Sequence, residues 1–171
     1  MVRPALNPAR NREEVPAMPV QKLKDYLDDN GVKYTLISHS PAFTAQEIAE
    51  LAHVPGKWLA KTVMVKIDGR MAMAVLPATC RVDIDLLKEA AGAKTLQLAT
   101  EDEFKYLFPG CAVGAMPPFG NLYGMKVYAA DILKEDEEIA FNAGTHSELM
   151  RLKYRDFDRL VKPTVAKISR R

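Results

Sequence analysis

The sequence predicts a mixed α+β domain, with strands joined largely by hairpins and helices packed outside them. Three observations predict it. Residues Thr62–Ile67 and Arg70–Leu76 are alternating apolar runs either side of Asp68-Gly69, and an Asp-Gly pair in that setting marks a two-residue hairpin. Thr44-Ala-Gln-Glu47 and Thr100-Glu-Asp-Glu103 are capping boxes that open short helices. The elements do not alternate strand with helix, which disfavours a doubly wound parallel sheet.

The elements follow in order. Val20, Leu23 and Leu27 share one helical face, and Gly31 ends that helix. Val32–Ser38 alternates and reads as a strand. The first capping box starts a helix through Ile48 and Leu51, closed by Pro55-Gly56. After the hairpin, Asp83 is the expected N-cap of a helix through Leu86 and Leu87, with Gly92 beyond its end. Thr95–Ala99 reads as a short strand. The second capping box opens a helix through Phe104 and Leu107 that Pro109-Gly110 closes. Strands are expected over Met125–Ala130, Glu138–Asn142 and Glu148–Tyr154, with a turn at Gly144. Asp156 is the expected cap of a last helix through Phe157 and Leu160, stopped by Pro163.

Met1–Ala17 carries Arg3, Arg10, Arg12 and three prolines with almost no apolar periodicity. It is expected to be a flexible N-terminal extension, leaving residues 18–171 as a single domain. Hydrophobic residues make up 48% of the chain and charged residues 27%, an ordinary globular balance. The net charge of +2 argues against a strongly polybasic binder, and no DNA partner is expected; contact with a single RNA end stays open. No apolar run is long enough to span a bilayer and no signal-like segment precedes the domain, so a cytoplasmic protein without membrane contact is expected. Cys80 and Cys111 have no C-x-x-C spacing, and three scattered histidines predict no metal site.

The segment Ala112–Gly124 concentrates Gly114, Gly120 and Gly124 around Pro117-Pro118. Stiff in parts and bare of side chains in others, such a loop can aim backbone N–H groups at one point. Taken alone it also reads as a tight connection between strands. Lys61 precedes an apolar strand, where a charge is less comfortable than in water. It can bind a phosphate or polarise a carbonyl, or it can simply reach water at the sheet rim. His146, in the Asn142–Ser147 turn, is a candidate base or substrate ligand, or a turn residue bonded to local backbone. His39 follows a strand and carries less weight. His53 suits the C-terminus of a short helix. Motifs for nucleotide hydrolysis, hydride transfer and zinc proteolysis are missing from the sequence.

Three segments together resemble the YbaK-like, prolyl-tRNA-synthetase-associated editing domains. They are Ala60-Lys-Thr-Val63 entering a strand, Gly114-Ala-Met-Pro-Pro118 as a G-x-x-x-P loop, and Asn142-Ala-Gly-Thr-His146 before the C-terminal strand. The order and spacing fit from about Val20 to Lys162. The resemblance implies a mainly antiparallel, barrel-like sheet wrapped by helices. It also implies hydrolysis of the ester between a wrong amino acid and the end of a tRNA, without metal or cofactor. Small residues such as alanine, cysteine, serine or threonine are the implied amino acids, with proline tRNA the usual carrier. The implied partners are the aminoacyl-tRNA acceptor end and prolyl-tRNA synthetase.

On that resemblance, Lys61 holds the terminal phosphate or ribose, and backbone N–H groups at Gly114 and Ala115 stabilise the developing oxyanion. His146 orients substrate, with Gly144 and His39 close by. Met116, Pro117, Pro118 and Phe119 are expected to wall a pocket that excludes large side chains. A binding module that holds a tRNA end or docks on a synthetase without catalysis is the alternative. A small-molecule sensor or hydrolase on the same fold is a third reading.

Overall fold

The computed structural model describes residues 19–171; the expected N-terminal extension lies outside the described residues. Helix α1 (Pro19–Asp29) buries Leu23 and Leu27 and stops at Gly31, whose φ of 67° is left-handed. Strand β1 (Tyr34–Ser38) leads to α2 (Ala45–Ala52). Its capping box is complete: the Glu47 N–H donates to Thr44 Oγ1, and the Glu47 carboxylate accepts from the Thr44 N–H. A 3₁₀ turn at Gly56–Trp58 then feeds the hairpin β2 (Ala60–Ile67) and β3 (Arg70–Pro77). Asp68 and Gly69, at φ 50° and 83°, make the turn, as a type I′ hairpin requires. The Asp68 carboxylate also accepts from the Lys94 and Thr95 N–H groups at 2.9 Å each.

The two-residue strand β4 (Arg81–Val82) precedes α3 (Ile84–Ala91), capped by Asp83 through the Leu86 N–H. Next come β5 (Leu96–Leu98) and α4 (Glu101–Phe104). α4 is shorter than expected, because the chain tightens into a 3₁₀ turn at Lys105–Leu107. A further 3₁₀ turn, Gly120–Tyr123, packs against β6 (Lys126–Ala130). Strands β7 (Glu138–Asn142) and β8 (Glu148–Lys153) form the last hairpin.

The final helix, α5 (Tyr154–Val161), starts directly out of β8. Asp156 lies in its first turn and is not its cap. The buried Tyr154 gives its N–H to the Glu137 carbonyl, so the sheet edge, not a side chain, sets where the helix begins. Three short strands had no sequence signal: β4, β9 (Thr164–Ala166) and β10 (Ser169–Arg170).

The strands form a five-stranded sheet ordered β5-β2-β3-β6-β9 and a three-stranded sheet ordered β1-β8-β7, with a small β10-β4 pair beside them. Most pairings are antiparallel; β3 with β6 and β6 with β9 run parallel. Among the described residues an isolated bridge, Leu59 with Ala140, links the two larger sheets where they meet. Between the sheets and the helices lies one main core, including Met73, Leu76, Phe119, Phe141 and Phe157. A smaller cluster of Ile48, Ala52, Val54, Leu59, Ala140 and Leu149 fixes α2 against the three-stranded sheet. No helix among the described residues is long and apolar enough to cross a membrane.

Candidate functional site

Lys61 is the second residue of β2, paired in register with Leu76 of β3. Its neighbours Ala60 and Met64 are buried, while Lys61 itself is only half-buried. The strand's bias towards the interior thus carries an ammonium partly out of water. Among the described residues it has no ion-pair partner. Burial lowers its pKa from the usual lysine value, and the Cys80 sulfur nearby acts in the opposite direction, as desolvation of a cation requires.

The loop Ala112–Phe119 reaches the same place from the far side of the sequence. Gly114 takes φ 87°, a conformation in which a side chain is strained. The loop is fastened to the Asn142–Ser147 turn. Ala112 N–H donates to the Gly144 carbonyl and Gly144 N–H to the Ala115 carbonyl, both at 2.9 Å. His146 Nε2 lies 2.9 Å from the Val113 carbonyl. A carbonyl only accepts, so Nε2 is the donor in this contact. Nδ1 is buried and without a partner.

Lys61, Gly114 and His146 line one cavity of about 290 Å³. Its other walls include Phe43, Ile48, Leu59, Ala78, Asn142 and Leu149, with no acidic side chain among the lining residues. Phe43 sits over the His146 ring at 4.6 Å between centroids.

Not every expected residue reaches the cavity. Ala115 is fully buried, and its N–H is spent on the Ala112 carbonyl at 3.0 Å, so it is no open donor for an oxyanion. The Gly114 N–H faces only the Met116 sulfur at 3.3 Å, a weak acceptor. Met116, Pro117, Pro118 and Phe119 are buried and do not line the cavity. Phe119 instead packs on Phe141 and Phe157 in the core, where its ring buries more apolar area than at a rim. Gly144 acts through the loop bonds just described. His39 stays off the lining; its Nδ1 meets the Ser40 carbonyl at 2.8 Å, and its backbone N–H donates to the Ser147 carbonyl.

Phe43, Ala78 and Asn142 were not expected at the site. The signal for Phe43 was an apolar ring in an otherwise turn-like Ser40–Thr44 segment; that for Asn142 was its place just before the Gly144 turn. Neither thiol lines the cavity, and burial pushes Cys111 up to about 11. A thiolate nucleophile at neutral pH is therefore disfavoured. Among the described residues no group of three or more His, Cys, Asp or Glu side chains is placed to hold a metal ion.

The family model for the aminoacyl-tRNA editing domain matches residues 39–160, which include the whole lining of this cavity. The chain belongs to the aminoacyl-tRNA editing domain family. Among curated relatives of this editing domain, the multifunctional Ser/Thr-tRNA deacylase ProXp-y of Escherichia coli K12 is 28% identical over 155 residues, covering 88% of this chain and 92% of the relative. The prolyl-tRNA editing protein ProX of Acetoanaerobium sticklandii is 26% identical over 143 residues, covering 80% and 86%. The solved structure of the hypothetical protein APE2540 superposes with a TM-score of 0.78 at 25% identity, over 87% of this chain and 99% of that one. A candidate trans-editing enzyme for prolyl tRNA synthetase superposes at 0.77 over 92% and 100%; at 21% identity that likeness speaks for the fold alone.

Proposed function

We propose that this editing domain is a trans-acting aminoacyl-tRNA deacylase that removes a small amino acid, with alanine, cysteine, serine and threonine as the candidates and proline tRNA as the carrier. The observation that carries the reading is the convergence of the Lys61 ammonium, without an ion-pair partner among the described residues, and the bare Gly114 backbone on one small cavity, far apart though they lie in sequence. The near end-to-end match to a relative named as a Ser/Thr-tRNA deacylase supports it.

In the reaction, a water oxygen bonds to the acyl carbon, the ester bond to the ribose oxygen breaks, and that oxygen leaves with a proton. Negative charge gathers on the carbonyl oxygen on the way. A fixed cation and a preoriented N–H stabilise such charge without having to reorganise. Lys61 supplies the cation, to the terminal phosphate or the ribose as well as to the reacting centre. Gly114 supplies the N–H, whose acceptor among the described residues, the Met116 sulfur, is a weak one. An aminoacyl ester is already activated, so no protein nucleophile is needed, and the vicinal ribose hydroxyl can assist the water. His146 holds the loop through the Val113 carbonyl and so orients the substrate. The apolar walls select by exclusion; a pocket of this kind separates amino acids differing by one methylene by roughly 10- to 200-fold. Prolyl-tRNA synthetase, which would supply the mischarged tRNA, is the proposed partner.

The test is a panel of alanyl-, cysteinyl-, seryl- and threonyl-tRNA, followed by release of free amino acid. The wild-type protein is expected to release at least one of them. Lys61→Ala is expected to lose about 100-fold or more in kcat/KM, the scale of losing one charge-stabilising group. Tight tRNA binding without release from any substrate would make the domain a binding module instead.

A further inference from the structure

Phe43 is 73% exposed, yet it lines the cavity that holds Lys61 and Gly114. One explanation is local. Thr44 is the N-cap of α2, so Phe43 occupies the position before the cap and Ile48 the fourth helical position. Apolar residues at these two places often pack together as a staple. Ile48 is indeed covered, at 6% exposure, but the Phe43 ring keeps most of its surface in water. A staple therefore does not account for the ring. Its partner is His146, at 4.6 Å and 43° between ring planes, and the imidazole is fixed by its bond to the Val113 carbonyl. One side of the Phe43 ring is thus supported while the rest stays open at the cavity mouth.

The cavity, about 290 Å³, is apolar along much of its wall and small. It suits the aminoacyl group, leaving the nucleobase of the terminal nucleotide outside. An exposed, backed aromatic ring beside such an opening is a stacking surface, since every base has a π-face. We infer that Phe43, braced by His146, is a nucleobase subsite that stacks the terminal purine of the RNA while its acyl group enters the cavity. The inference rests on the deacylase reading for its substrate class, but its test does not depend on turnover.

The probe is an uncharged RNA hairpin with a single-stranded CCA end, compared with the same hairpin ending in an abasic ribose. Affinities are measured by fluorescence anisotropy from a label at the other end. The wild-type protein is expected to prefer the adenine-bearing end by roughly 5- to 150-fold, the range of one base–aromatic stack. Phe43→Ala should lose that preference while binding the abasic hairpin as before, and Phe43→Tyr should keep it. The exposed position of the ring leaves the fold little changed in either variant. In deacylation, Phe43→Ala should raise KM more than it lowers kcat. An equal preference in wild type and Phe43→Ala, no preference in wild type, or no RNA binding at all overturns the subsite. A Phe43-dependent preference in a protein that deacylates nothing overturns the deacylase reading and leaves the subsite standing.

Discussion

Gly114 joins geometry to chemistry most directly, because two separate demands fall on it. Its φ of 87° excludes an unstrained side chain, whereas the space beside it is less restrictive: a Cβ there would meet His146 Cε1 at 3.6 Å, an ordinary contact. Substitution therefore acts through the backbone more than through a clash. Gly114→Val is expected to cost about 1–3 kcal/mol of stability from left-handed strain. It should also remove most deacylation, by changing the loop backbone that forms the cavity wall at this position. Urea denaturation beside a deacylation assay checks both, and a stable variant with full activity would remove the loop from the mechanism. Gly114 and Lys61 were picked out in the sequence by three motifs occurring together in order; taken alone, the loop also reads as a tight connection and the lysine as one that reaches water at the sheet rim. The inward turn of Met116 and Phe119 was not legible. Whether an apolar residue faces a cavity or the core depends on what the opposite sheet provides, and here Phe141 and Phe157 provide the larger apolar surface.

Among the elements, α4 shows how a short helix is held by charge. The Glu103 carboxylate accepts the Thr100 N–H at 2.8 Å and pairs with Lys66 of β2 at 2.6 Å. The Lys66 hydrogen bond, then the Thr100 N–H, draw its pKa down to about 2. A carboxyl whose folded pKa lies below its unfolded value adds stability at pH above the unfolded value, and that stability is lost as pH falls towards the folded one. The window is therefore from about 4.5 down to about 2. Carbon-detected NMR is expected to place the Glu103 titration at the acid end of that window, and Glu103→Gln should flatten stability across it. A Glu103 titrating at an ordinary value would show that α4 is not tied to β2 in this way. Capping boxes, Asp-Gly turns and terminal glycines announced their elements because each signal is local. The start of α5, the parallel pairing of β6, and strands β9 and β10 depend on partners distant in sequence, and Thr164–Ala166 carries no alternation long enough to register.

In the whole molecule, the C-terminal segment completes what earlier residues begin. β9 pairs with β6, β10 pairs with β4, and Ile168 between them is fully buried in the main core. Its carbonyl accepts the Asp83 N–H at 2.7 Å, just where α3 is capped. Ile168→Ala is expected to cost about 2–5 kcal/mol by leaving a cavity. The folded fraction should still deacylate normally, since Ile168 does not line the candidate cavity. A shift in the urea midpoint with unchanged kcat is the expected pair of readings; lost turnover at full stability would show that the C-terminus shapes the site. The bridge between Leu59 and Ala140 has another consequence. Leu59, in that bridge, and Phe141, beside it, both line the cavity, which therefore opens along the join between the two sheets. Ala45, Ala60 and Ala78 contribute only methyl groups to its wall. Enlarging Ala45 or Ala78 by one carbon would therefore narrow the cavity while leaving the strand pairing on either side intact.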